Sequence, residues 1–111
     1  MTDITRWWWI RHAPVVGFDG RFYGGADVDC DVSDEASFSS LASWLPKDAI
    51  WLTSHLKRSH ETADALMAAG MVPVERIEEP DIGEQHYGEW EGITYAELAE
   101  RQLEAADGGP W

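Results

Sequence analysis

The sequence predicts an α/β protein, a three-layer α/β/α arrangement in which helices cover both faces of a mostly parallel sheet. Short apolar runs without polar alternation suit strands buried on both faces, and apolar residues at helical spacing lie between them. Gly, Pro, Ser and Asp mark the joins. Strand and helix alternate three times, the pattern produced by right-handed crossovers between parallel strands.

Thr5 to Arg11, with its Trp-Trp-Trp-Ile centre, reads as the first strand. Ala13 to Asp34 is rich in Gly and Asp and reads as an irregular loop. Ser33 or Asp34 can cap a helix over Glu35 to Leu45, whose apolar face is Ala36, Leu41, Ala42 and Leu45, and Pro46 stops it. Ala49 to Ser54 is the second buried strand. Leu56 to Ala69 forms a helix with Leu56, Ala63, Leu66 and Met67 on one side and Gly70 at its end. Val72 to Ile77 reads as a third strand, nearer a sheet edge because Pro73 interrupts it. Glu78 to Gly92 reads as loop, Ile93 to Glu104 as the last helix, and Asp107 to Trp111 as a trailing end.

A chain of 111 residues is long enough for one small domain with one core, and residues 1–111 are read as a single unit. With 21 acidic against 8 basic residues the formal net charge is −13, which disfavours nucleic acid and anionic membrane surfaces as partners. The expected partner is a small molecule, and self-association into a homo-oligomer is compatible with the same features. If the small molecule is anionic, the few arginines must gather at one place. The longest apolar stretch, Trp7 to Ile10, is far short of a membrane span, and no signal-peptide pattern opens the chain. A lone Cys30 cannot form an internal disulfide. Together these features predict a cytoplasmic location.

Ligands of open α/β sheets sit at the carboxyl ends of the strands, and two of those ends are Arg11-His12 and Ser54-His55. An Arg-His pair alone is weak, since most such pairs are polar strand ends. Four blocks in order carry more weight: Trp7 to Val15 (WWWIRHAPV), Arg21 to Val28 (RFYGGADV), Leu52 to Leu66 (LTSHLKRSHETADAL) and Ile82 to Thr94 (IGEQHYGEWEGIT). They resemble, respectively, the opening signature, the substrate loop, the Ser-x-Leu-x-Arg-x-x-x-Thr-Ala helix start and the acid-bearing loop of the histidine phosphatase superfamily. Within that phosphoglycerate-mutase-like group they are nearest in character to the α-ribazole-phosphatase-like members.

The resemblance implies that His12 receives the phosphoryl group. An imidazole attacks phosphorus through an unprotonated nitrogen, and its other nitrogen needs an acceptor that fixes the tautomer. It implies Arg11 and Arg58 as the clamp on the phosphoryl oxygens, which guanidinium groups match by bidentate hydrogen bonds. The start of the helix after Ser54, with its free N–H groups, is expected to face the same pocket. Glu84, from the Glu-x-x-x-Gly spacing, is implied as the acid that protonates the leaving group and then activates water. Tyr23 and Gly24 match substrate-contacting positions. Outside these blocks each residue has a plainer reading: Arg58 as a solvated helix charge, Glu84 as one of a run of loop carboxylates with Glu78, Glu79, Asp81, Glu89 and Glu91, and His86 as structural. His55 and His60 form no recognised metal pair, so neither a metal site nor a cofactor is expected. Trp7, Trp8, Trp9 and Trp51 are expected in the core.

The family's second catalytic histidine lies in a later block, and no histidine follows His86. The chain is therefore expected to be the N-terminal part of a longer domain, catalytically feeble and prone to self-association by itself. Glu89-Trp90-Glu91-Gly92 resembles the phosphatases more than the mutases, and Tyr95 stands where the mutases tend to carry a lysine. The expected activity is hydrolysis of a small phosphorylated metabolite through a phosphohistidine without metal, with a phosphoglycerate mutase or a non-catalytic phosphate-binding module as the alternatives.

Overall fold

The computed structural model describes residues 4–17 and 20–107. In chain order the regular elements are α1 (Glu35–Trp44), β1 (Ile50–Thr53), α2 (Lys57–Ala68), β2 (Glu75–Glu78) and α3 (Tyr95–Asp107), with single turns of 3-10 helix at Pro80–Ile82 and Gly88–Trp90.

Asp34 starts α1 by accepting from the Ser37 N–H at 3.1 Å and from the Ser37 hydroxyl at 2.7 Å. These bonds hold its carboxyl below the usual carboxylate pKa. Pro46, which cannot continue a helix, follows two residues after the last turn. At the far end of α2, Gly70 takes a φ of +106°. Its N–H donates to the Met67 carbonyl and that of Met71 to the Leu66 carbonyl, a Schellman ending that leaves few carbonyls orphaned. Thr94 caps α3, its hydroxyl accepting from the Glu97 N–H at 3.2 Å. The last helix thus begins two residues later than the apolar pattern suggests and runs past Glu104 to Asp107.

β1 and β2 are parallel, with Ile50 opposite Glu75 and Thr53 opposite Glu78. Backbone bonds from Val74 to Ala49 and from Glu79 to Thr53 lengthen the ladder at both ends. The third predicted strand therefore starts beyond Pro73, whose ring nitrogen has no proton to donate. α2 crosses between the two strands and packs against β1, and α1 packs against α2. Leu56, Ala63, Leu66 and Met71 are buried there, with Val28 and Cys30 of the long loop. Met67 and Ala36, expected on apolar faces, are exposed.

The first predicted strand is not part of the sheet. Among the described residues the sheet has two strands, and Thr5 to Arg11 lies on neither edge. Trp7, Trp8 and Trp9 are 62%, 56% and 80% exposed, and Trp7 stacks on Trp9 with ring centroids 6.0 Å apart. A strand becomes core only when neighbours supply ladder partners along both edges, which an apolar sequence alone cannot guarantee. Trp51, on β1, is half-buried. The radius of gyration is 17.4 Å, against about 13 Å for a compact domain of this length. The chain is correspondingly flat, 51 × 40 × 20 Å.

Candidate active site

The segment after the tryptophans is held by pairing of the loop with itself. Val15 bridges Cys30, Val16 donates to the Asp29 carbonyl, and Asp31 donates to that of Pro14. This returns the chain over α2, where the Ala13 N–H donates to the Thr62 hydroxyl at 3.0 Å. The same hydroxyl donates to the Arg58 carbonyl one turn earlier, at 2.8 Å. Thr62 is buried, so His12-Ala13 is fastened to the helix at a fixed point.

His12 is half-buried, and its Nδ1 lies 2.6 Å from the Ala13 carbonyl oxygen. A carbonyl only accepts, so Nδ1 carries the proton in this contact and the neutral ring keeps its lone pair on Nε2. Tyr23 meets the His12 ring edge-on, centroids 6.2 Å apart, and the Arg58 guanidinium lies 5.1 Å from the Tyr23 centroid. The structure thus brings His12, Tyr23 and Arg58 into one cluster.

Arg58 is 3% exposed and belongs to the inner face of α2 with Thr62 and Leu66. Its two terminal nitrogens donate to the carbonyls of Ala26 and Gly24, each at 2.7 Å. Part of the expected phosphate fork is therefore engaged with the loop that carries Tyr23 and Gly24. The start of α2 is engaged too. The Lys57 N–H donates to the Asp27 carboxylate at 2.7 Å, so an acid of the chain occupies the position where a free N–H was expected.

The two loops of the site are interlocked. Arg21 bridges Thr94, Phe22 exchanges backbone bonds with Gly92 and Ile93, and the Phe22 ring meets Tyr87 edge-on at 4.8 Å. Gly24 has a φ of +49°, and a Cβ there would lie 2.7 Å from the Tyr87 ring and 3.0 Å from a Glu91 oxygen. A Cβ on Gly25 would lie 2.8 Å from the Gln85 carbonyl oxygen and 2.9 Å from the His86 Cα. Gly24 needs glycine because its backbone is left-handed and side chains pack onto it, and Gly25 because two backbones touch there, a contact that a Gly-Gly pair hints at without naming its partner.

Two expected members stand outside the cluster. Arg11 is exposed, and among the described residues no hydrogen bond or ion pair joins it to His12 or Arg58. Glu84 is also exposed, and its Oε1 accepts from the adjacent Gln85 N–H at 3.1 Å. Of the carboxylates in its run, Glu91 is drawn into contact with the substrate loop, with a side chain 9% exposed. Thr62, Gly25 and Glu91 are thus parts of the site whose roles sequence reasoning missed. Thr62 stood in the helix-start motif, but nothing in the sequence singled out its hydroxyl. Cys30 is buried against Thr62, and burial pushes its thiol pKa up. Among the described residues no group of three or more His, Cys, Asp or Glu is arranged to hold a metal ion, and no helix is long and apolar enough to cross a membrane.

Residues 7–109 match the histidine phosphatase superfamily (branch 1), and the chain belongs to that family. Its fold is the phosphoglycerate-mutase-like α/β fold. Among solved structures it is similar to TTHB049 from Thermus thermophilus, with 30% identity and a TM-score of 0.63 over 87% of this chain and 54% of that one. It also resembles a putative alpha-ribazole-5'-P phosphatase from Escherichia coli (23% identity, TM-score 0.66, 86% of this chain and 49% of that one). A third is the mycobacterial glucosyl-3-phosphoglycerate phosphatase (22%, 0.62, 87% and 46%). The chain spans about half the length of these proteins. No curated protein matches the sequence.

Proposed function

We propose that the protein hydrolyses a phosphomonoester of a small metabolite through a phosphohistidine on His12, without a metal ion. The carrying observation is the 2.6 Å contact between His12 Nδ1 and the Ala13 carbonyl, which leaves Nε2 as the nucleophile beside Tyr23 and Arg58. In the first step Nε2 bonds to phosphorus as the P–O bond to the leaving group breaks. Glu84 gives its proton to the departing oxygen, and the remaining donors of Arg58, with Arg11, balance charge on the equatorial oxygens. In the second step Glu84 takes a proton from water, the new P–O bond forms and the N–P bond breaks, returning His12 to its starting state. Tyr23 and Gly24 line the substrate side. Arg11 and Glu84, both exposed, reach the phosphoryl group in this reading by turning toward it. Two of the fold relatives carry phosphatase names, in keeping with hydrolysis.

The full-length protein is expected to hydrolyse an aryl phosphate as well with chelator as without. Glu84→Gln should slow an alkyl phosphate by on the order of 100-fold or more while sparing the aryl ester, whose leaving group departs without a proton. Equal losses on both esters would remove Glu84 as the acid, and activity abolished by chelator and restored by a divalent ion would remove the metal-free mechanism.

A further inference from the structure

The Glu91 carboxylate stands where the two interlocked loops meet. Its Oε2 accepts from the Gly25 N–H at 2.9 Å and from the Tyr87 N–H at 2.8 Å, and its Oε1 lies 3.3 Å from His86 Nε2. His86 is itself oriented, because its Nδ1 accepts from the Gly88 N–H at 3.0 Å, which leaves the ring proton on Nε2, the nitrogen nearest Glu91. One side chain therefore accepts a hydrogen bond from the substrate loop, between Tyr23-Gly24 and Ala26, and another from the loop that carries Glu84, whose His86 lies beside its second oxygen. The Gly24 and Ala26 carbonyls that flank this contact are held from the opposite side by Arg58. The peptide of Gly25 is thus gripped by a carboxylate at its N–H while a guanidinium grips the neighbouring carbonyls. The bare backbones of Gly25 and Gln85-His86 touch, so the spacing between the loops is set by hydrogen bonds and not by adaptable side chains.

We propose that Glu91 is a positioning residue of the phosphatase reaction: its carboxylate fixes Glu84's loop against the Tyr23-Gly24 loop, so that the proton donor and the substrate contacts are presented together. This rests on the reading of His12 and Glu84 given above. Glu91 touches no reacting atom and acts through Glu84. Its loss should therefore appear as loss of proton delivery and not as a general slowing. A residue that only held the fold together would slow all substrates alike.

The test is a kinetic cycle in the full-length protein with p-nitrophenyl phosphate and β-glycerophosphate as the aryl and alkyl probes. Glu91→Ala should lower kcat for the alkyl ester by on the order of 100-fold and for the aryl ester by less than about tenfold. Glu91→Gln, which keeps an oxygen for the two N–H groups, should restore most of the alkyl rate. Glu84→Gln with Glu91→Ala should be no slower on the alkyl ester than Glu84→Gln alone, because the second change acts through a group already disabled. If Glu91→Ala does not fold, Glu91→Asp gives the same cycle, since it keeps the charge but draws it back from Gly25 and Tyr87. Equal losses on both esters, a Gln variant as poor as Ala, or losses that multiply in the double variant would overturn the proposal. A wild-type protein that forms no phosphohistidine on His12 overturns the reading of the site as well, whereas a phosphorylated His12 with no Glu91 effect on leaving-group dependence overturns this proposal alone.

Discussion

Arg58 is 3% exposed, while Trp7 to Trp9 are 56–80% exposed, the reverse of what their side chains favour in isolation. The guanidinium is inside because the carbonyls of Gly24 and Ala26 and the face of Tyr23 meet it there, replacing the water it loses. The tryptophans are outside because, among the described residues, no ladder partner runs beside them. Burial in this chain follows satisfied backbone more closely than it follows hydrophobicity. A buried cation with its partners is also where the chemistry collects, since the loop Arg58 holds is the one that faces His12.

The largest effect expected from that contrast is at Arg58. Arg58→Ala removes a charged donor pair from two inward-facing carbonyls and should lower stability by about 3 kcal/mol, read as a fall in the denaturant midpoint. Arg58→Lys should recover little, because an ammonium cannot span both carbonyls as the planar fork does. A stability close to wild type for Arg58→Ala would show that the loop is held by something else.

Thr62→Val keeps the shape of the side chain but leaves the Ala13 N–H without its acceptor, at a cost of about 1.5 kcal/mol. Because that bond fastens His12 to α2, phosphoenzyme formation should slow more than stability falls, and rapid-quench kinetics set beside thermal melts would separate the two. A variant that lost stability with no change in phosphorylation rate would restrict Thr62 to the core.

The smallest effect is expected where the exposed aromatics lie. Replacing Trp7 and Trp9 together with lysine in the 111-residue chain should change stability by no more than about 1 kcal/mol, the scale of one stacked pair. Self-association, followed by light scattering, should decrease as exposed apolar area is removed. A loss of several kcal/mol would mean that these rings are covered, and the contrast with Arg58 would fail.

Local features were the legible ones. Asp34 and Gly70 end their helices as the sequence suggests, because a cap is settled by a few adjacent residues. The four sequence blocks identified the family, and an acceptor for the second imidazole nitrogen of His12 is present in the adjacent peptide. What sequence hid was long-range: Arg58 meets carbonyls more than thirty residues away, and Glu91 meets an N–H 66 residues away. In a run of carboxylates the sequence cannot say which one a distant loop will cover. Spacing points to Glu84 and does not reveal that the substrate loop covers Glu91. The first strand failed for a related reason, since an apolar run declares what it can bury and not whether a neighbour is there.

In the proposed reaction His12 attacks through Nε2 because Nδ1 is held by the Ala13 carbonyl. The direct measurement is to quench the full-length protein during turnover of an aryl phosphate without acid, locate the phosphoryl group by mass spectrometry, and assign the phosphohistidine isomer by phosphorus NMR. The expected result is a single phosphoryl group on Nε2 of His12, absent from His12→Ala. Phosphorylation of His12 on Nδ1, or of His55, His60 or His86 instead, would contradict it.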